Sequence, residues 1–130
     1  MAQGAAPLRL PGVMWHVTLT FHGQPQPAGR LRSGLETLVF HHGIDLSARF
    51  NRDTVELRYW DEGQDCRAVV DAAMSLWDEH RRNSDLPAWP VVGVEVLDRP
   101  SFRRRWSPGD PALLEPGVRE MPDGPPTLDP

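Results

Sequence analysis

The sequence predicts an α+β domain of order β-α-β-β-α-β, with a four-stranded antiparallel sheet, two helices on one of its faces and a short C-terminal helix. Two observations carry this reading. Along residues 13–106 the hydrophobic period switches repeatedly between two residues and a helical repeat. Each of the two long helical stripes is flanked by alternating runs, and right-handed crossovers then place both helices on the same side of the sheet. A length of 130 residues is that of one ordinary domain.

From 13 to 22, Trp15, Val17, Leu19 and Phe21 alternate with His16, Thr18, Thr20 and His22, the pattern of a strand with one buried face. Turn material from Gly23 to Pro27 follows. Leu31, Leu35, Leu38 and Val39 then recur at helical spacing, and Gly43 is a C-terminal stop. Two alternating runs come next, Leu46, Ala48 and Phe50, then Val55, Leu57 and Tyr59, joined by a hairpin at Asn51-Arg52-Asp53. The second helix has Asp65 as its cap and Val69, Ala73, Leu76, Trp77 and His80 on one stripe. A last strand from Val91 to Leu97 is expected to bury Val92, Val94 and Val96. Asp98 then caps a short helix whose Phe102 and Trp106 pack back.

Proline and charge set off the two ends. Residues 1–12 are small and irregular. They have no apolar h-region, so no signal peptide is expected and a cytoplasmic location follows. Residues 107–130 hold seven of the fourteen prolines and five acids against Arg119 alone, a composition that predicts a disordered acidic tail. The net charge of -4 argues against a phosphate-backbone binder, and no apolar run is long enough to span a bilayer. All fourteen basic residues are arginine, which removes lysine Schiff-base chemistry. The single cysteine, Cys66, excludes a disulfide framework and reads as a small residue in the first turn of the second helix.

With both helices on one side, period two assigns the residues of the other. They are His16, Thr18, Thr20 and His22; Ser47, Arg49 and Asn51; Glu56, Arg58 and Trp60; and Val91, Glu95 and Leu97. This element order resembles the ferredoxin-like fold over residues 13–106, and the sequence also looks similar to small uncharacterised actinobacterial proteins. Such a fold hosts many functions, so the resemblance implies architecture alone. Among the face residues, His16, Thr18, Thr20, His22, Arg49, Glu56, Arg58, Trp60, Glu95 and Leu97 form the candidate interaction surface. Trp60 beside an arginine is a usual interface anchor.

Other chemistries find less support. The RNA-recognition version of this architecture stacks bases on aromatics of its central strands, where this chain carries His, Thr, Glu and Arg, so no nucleic acid is expected. His16 and His22 lie about 20 Å apart along a strand at ~3.3 Å per residue. Neither they nor His41, His42 and His80 form a ligand set, so neither a metal nor another cofactor is expected. Acylphosphatases resemble this chain in element order. The resemblance implies a phosphate site at loop 23–30, with Arg30 opening the helix and Asn51 positioning water. Pro25 and Pro27 depart from it, because they remove amide donors from the cradle. Asn51 also suits a turn. Arg103-Arg104-Arg105 either solvates a helix end or contacts the acidic tail.

The expected function is a non-enzymatic interaction domain that self-associates, as a homodimer, or docks a protein partner through the open sheet face or edge. The alternative is a small-molecule-binding regulatory domain, and the remaining one an acylphosphatase-like hydrolase using Arg30 and Asn51.

Overall fold

The computed structural model describes residues 12–42, 46–106 and 116–122. The elements run β1 (Val13–His22), α1 (Ala28–His42), β2 (Ser47–Asn51), β3 (Thr54–Gly63), α2 (Cys66–His80), β4 (Val91–Asp98), α3 (Arg99–Arg105) and β5 (Gly117–Glu120). Strand order in the sheet is β4-β1-β3-β2-β5. The first four are antiparallel neighbours in the ferredoxin-like arrangement, and β5 runs parallel to β2.

The alternating runs end up where their period places them. Val17, Leu19 and Phe21 of β1, Ala48 and Phe50 of β2 and Val55, Leu57 and Tyr59 of β3 are buried. The helices cover that same side with Leu31, Leu35 and Leu38 of α1 and Val69, Ala73, Leu76 and Trp77 of α2. Trp77 is the largest anchor. Its ring stacks on Phe21 at 4.2 Å between centroids, and its Nε1 donates to the Pro87 carbonyl at 2.8 Å. α2 begins where Asp65 accepts from the Ala68 amide at 2.8 Å, which satisfies one of the unpaired donors of the first turn. Among the described residues, no helix is long and apolar enough to cross a membrane.

Three expectations are corrected. The first concerns β4. Thr20 pairs with Gly93 but Phe21 pairs with Val91, so Val92 is an extra residue in a bulge. The bulge reverses the alternation beyond it. Val91 faces the core beside Phe21 rather than the open face, while Val92 is 58% exposed. Val94 and Val96 keep the core side opposite Leu19 and Val17, although at this sheet edge Val94 is still 40% exposed.

Second, the sheet has five strands, not four. The fifth lies within the stretch whose composition predicts a disordered tail. Gly117–Glu120 pairs with β2, tied by Gly117 N–H to the Leu46 carbonyl at 3.2 Å. Val118 packs against the core, and Glu120 reaches Arg32 of α1 at 3.1 Å. A strand this short, flanked by Pro116 and Pro122, has too few residues to display a period. Residues 1–11, 107–115 and 123–130, on which the rest of the two terminal readings fall, lie outside the described residues, as does Gly43.

Third, the face opposite the long helices is not bare. α3 lies over part of it, against β4 and β1.

Gly34 sets how closely α1 approaches the 84–86 turn. A Cβ there would sit 2.6 Å from the Ser84 carbonyl oxygen and 2.7 Å from a Leu86 methyl, and backbone cannot move aside as a side chain can. Gly34→Ala gains up to about 1 kcal/mol of helix propensity. Forced overlap costs about 1–3 kcal/mol. The clash outweighs the gain, so the variant is expected to lower the urea midpoint; a raised midpoint would mean that the turn stands further from the helix than described.

Candidate functional site

Pairing register turns the open face into rows. The first row crosses the sheet as Trp60, His16 and Leu97. The next runs Ser47, Arg58, Thr18 and Glu95, and the third Arg119, Arg49, Glu56, Thr20 and Gly93. Nine of the ten residues expected on the interaction surface therefore lie together in these rows. His22 is the exception, because it ends β1 at the far edge of the face, beside Thr54 at 3.4 Å.

α3 covers the first row. Asp98 caps it by accepting from the Ser101 amide at 2.8 Å, and hydrogen bonding to Ser101 holds the Asp98 carboxyl below its usual range. One turn later Phe102 packs on His16 at 4.4 Å and on Trp60 at 4.8 Å between ring centroids. His16 is left 5% exposed. Burial first, and the Arg58 guanidinium second, push its imidazole down to about 4, so it is neutral near pH 7. Trp60 also contacts His16, edge-on at 5.1 Å between centroids, and lies under Arg99. His16 and Trp60 are thus largely spent on packing α3.

Trp106, the C-cap residue of α3, reaches the second row. Its ring lies 4.9 Å from the Arg58 guanidinium carbon. Between this indole and the third row lies a cleft lined by Thr18, Thr20, Glu56, Arg58, Glu95 and Trp106, with Gly93, Val94 and Arg105 at its wall. Its carboxylates are engaged. Glu56 holds Arg58 at 2.9 Å and Arg49 at 3.8 Å, and Glu95 pairs with Arg105. Its donors are not all satisfied: Arg58 Nη1, Thr18 Oγ1 and Trp106 Nε1 are shut from solvent with no hydrogen-bond partner among the described residues. His16 Nδ1, in the neighbouring row, is likewise unpaired. Such groups are rare in folded proteins, because each forgoes its water without replacement.

Arg30 and Asn51 occupy different settings. Asn51 Oδ1 accepts from the Asp53 amide at 3.2 Å, closing the hairpin turn. Arg30 reaches Asp85 at 3.1 Å, where Asp85 has a φ of 54° in the left-handed region, and also Gln26 at 3.3 Å. Two of the three amides in the 23–27 loop are bonded. Gly23 and Gln26 donate to the carbonyls of Asp53 and Arg52 at 3.1 and 2.8 Å, and Pro25 and Pro27 have no N–H. The loop lines a second, open cleft with His22, Asp53 and Trp89, but it does not present consecutive free amides to an anion.

No group of three or more His, Cys, Asp and Glu side chains among the described residues is placed to hold a metal ion. Cys66 is exposed at the first position of α2. Of the arginine run, Arg105 holds Glu95 and Arg104 bonds Ser101 at 3.1 Å. The acids at 110, 115, 123 and 129 that a tail latch requires lie outside the described residues.

Phe102, Arg105 and Trp106 were absent from the predicted surface. Their spacing after Asp98 indicated a short amphipathic helix packing back. Which face it returned to depended on the path of the chain out of β4, which periodicity does not encode.

The chain is similar to a solved acylphosphatase structure from Coxiella burnetii at 15% identity and a TM-score of 0.36, with 85% of this chain and 94% of that one covered. A search of curated proteins finds no match. Residues 14–112 match a family described as a domain of unknown function (DUF8830), and the chain belongs to that family.

Proposed function

We propose that the chain is a non-catalytic binding domain that takes a small molecule on its sheet face, in the cleft beside Trp106. One observation carries this reading. Three polar atoms of one cleft, from β1, β3 and the end of α3, are buried without partners, whereas its acids are already paired. Paired acids favour holding a ligand over moving protons, since a general base needs a free lone pair within reach of its substrate. By covering the first row, α3 leaves less of the sheet face for a second protein and frames a recess of small-molecule size instead.

The test is a set of small acids, bases and neutral compounds screened by amide chemical shifts. Binding is expected to move Thr18, Arg58 and Glu95 together with the Trp106 indole. Hits confined to the His22–Trp89 cleft would contradict the assignment.

Self-association remains a second reading, supported by the exposed edge of β4. Val92 and Val94 stand 58% and 40% exposed on a strand that has a single neighbour among the described residues, the kind of edge that pairs with another chain. Under this reading, light scattering over a concentration series gives a dimer that Val92→Lys returns to monomer. A constant monomer mass would end it.

A further inference from the structure

We infer that the ligand of the sheet-face cleft carries a carboxylate and that Arg58 is the residue that holds it. This rests on the binding-domain reading and adds the chemistry of the ligand.

Arg58 sends Nε to Glu56 at 2.9 Å and keeps Nη1 without an acceptor. A guanidinium only donates, in a planar fork, and an ionised carboxylate only accepts, through two oxygens that fit that fork. The other unpaired groups point to the same complement. An indole N–H donates only, and the Thr18 hydroxyl donates as readily as it accepts. What the cleft lacks is therefore an acceptor.

The ion pairs bear on its charge. Glu56 is shared between Arg49 and Arg58, while Glu95 is taken by Arg105, so each carboxylate lining the cleft is already held by an arginine. His16 adds nothing, being neutral near pH 7. A phosphate monoester carries roughly -1.5 to -2 at neutral pH and would set its excess charge against Glu56. The Trp106 ring supplies an apolar wall and suits a hydrocarbon or aromatic body. Because the three donors are shut from solvent, the ligand enters by displacing the indole from the Arg58 guanidinium. The carboxylate then bonds Arg58 Nη1 and Thr18 Oγ1, with the ring of Trp106 alongside.

Benzoate, benzyl alcohol and phenyl phosphate, titrated in turn against the full chain, test this by the chemical shifts of the Trp106 indole N–H and the Arg58 Nε–H. Benzoate is expected to shift both at millimolar concentration and to bind roughly tenfold more tightly than benzyl alcohol, which loses the charge-assisted hydrogen bond, and than phenyl phosphate, whose excess charge meets Glu56. Arg58→Gln should abolish that preference, and Glu56→Gln, which removes the competing negative charge, should strengthen benzoate binding several-fold. Benzyl alcohol or phenyl phosphate binding the cleft as well as benzoate overturns the carboxylate assignment and leaves the binding-domain reading standing. Cleft signals that respond to none of these compounds, nor to the broader screen, overturn both. Should Arg58→Gln fail to fold, the comparison of benzoate with benzyl alcohol on the unaltered chain still decides the question.

Discussion

Trp77→Ala is expected to bring the domain close to unfolding, lowering its stability by about 4 kcal/mol, within the range of roughly 3–5 for truncating a buried tryptophan. The side chain is 2% exposed, stacks on Phe21 and caps the Pro87 carbonyl. It therefore joins α2 to the centre of β1 and to the connection leading into β4. Truncation leaves a cavity among residues that are already fully buried, and it strips the Pro87 carbonyl of its donor. Domains of this size have only about 5–15 kcal/mol in total, and each kcal/mol moves the melting temperature by about 4–8 °C. A fall on the order of 20 °C follows. Trp77→Phe keeps most of the stack and loses only the hydrogen bond, for which about 1 kcal/mol is expected. Urea unfolding followed by circular dichroism measures both. Equal effects for the two variants would mean that the ring contributes little and that α2 is not anchored through Phe21.

The second large effect is a loss of stability in mild acid, traced to His16. Its imidazole sits under Phe102 of α3, edge-on to Trp60 and in the field of Arg58, and burial lowers it to about 4. In the unfolded chain it takes its ordinary value near 6.5. Between these two values the unfolded state binds a proton that the folded state refuses. Stability is therefore full above about pH 6.5, falls as the pH drops towards 4, and levels off below it as far as this group is concerned. The window corresponds to about 3 kcal/mol at 1.36 kcal/mol per pH unit. His42 is lowered as well, by burial first and then by His80, and adds a slope of the same sign. A comparison of variants separates the two. His16→Phe should flatten the pH dependence of the urea midpoint between 7 and 4 and cost little at pH 7, because it removes an unpaired buried nitrogen while filling the same space. An unchanged slope in that variant would remove His16 from the account.

His16 also shows how sequence and structure divide the explanation. Its position on the open face followed from alternation along β1, and the register confirms that position opposite Trp60 and Leu97. Alternation gives no depth, however. Whether an outward residue meets water or another element depends on what the chain lays over it afterwards, and here α3 returned to that face. Val92 shows the opposite limit. Its place in an alternating valine run marked it as buried, but a single bulged residue turned it to solvent, and nothing in its own chemistry signals a bulge. Arg58 lies between these cases. It was legible as an outward arginine of β3, while its unpaired Nη1 depends on Trp106, nearly fifty residues further along.

By itself the sequence determined the succession of elements from β1 to α3, the core face of β1, β2 and β3, the stripes of α1 and α2 and the caps at Asp65 and Asp98. Each of these is set by neighbours within a few residues, where side-chain period and local hydrogen bonding act directly. The tertiary structure alone decided the bulge in β4, the fifth strand beside β2, the closure of α3 over His16 and the grouping of Thr18, Arg58 and Trp106. These depend on contacts between distant segments, whose geometry is fixed only when the pieces pack against one another.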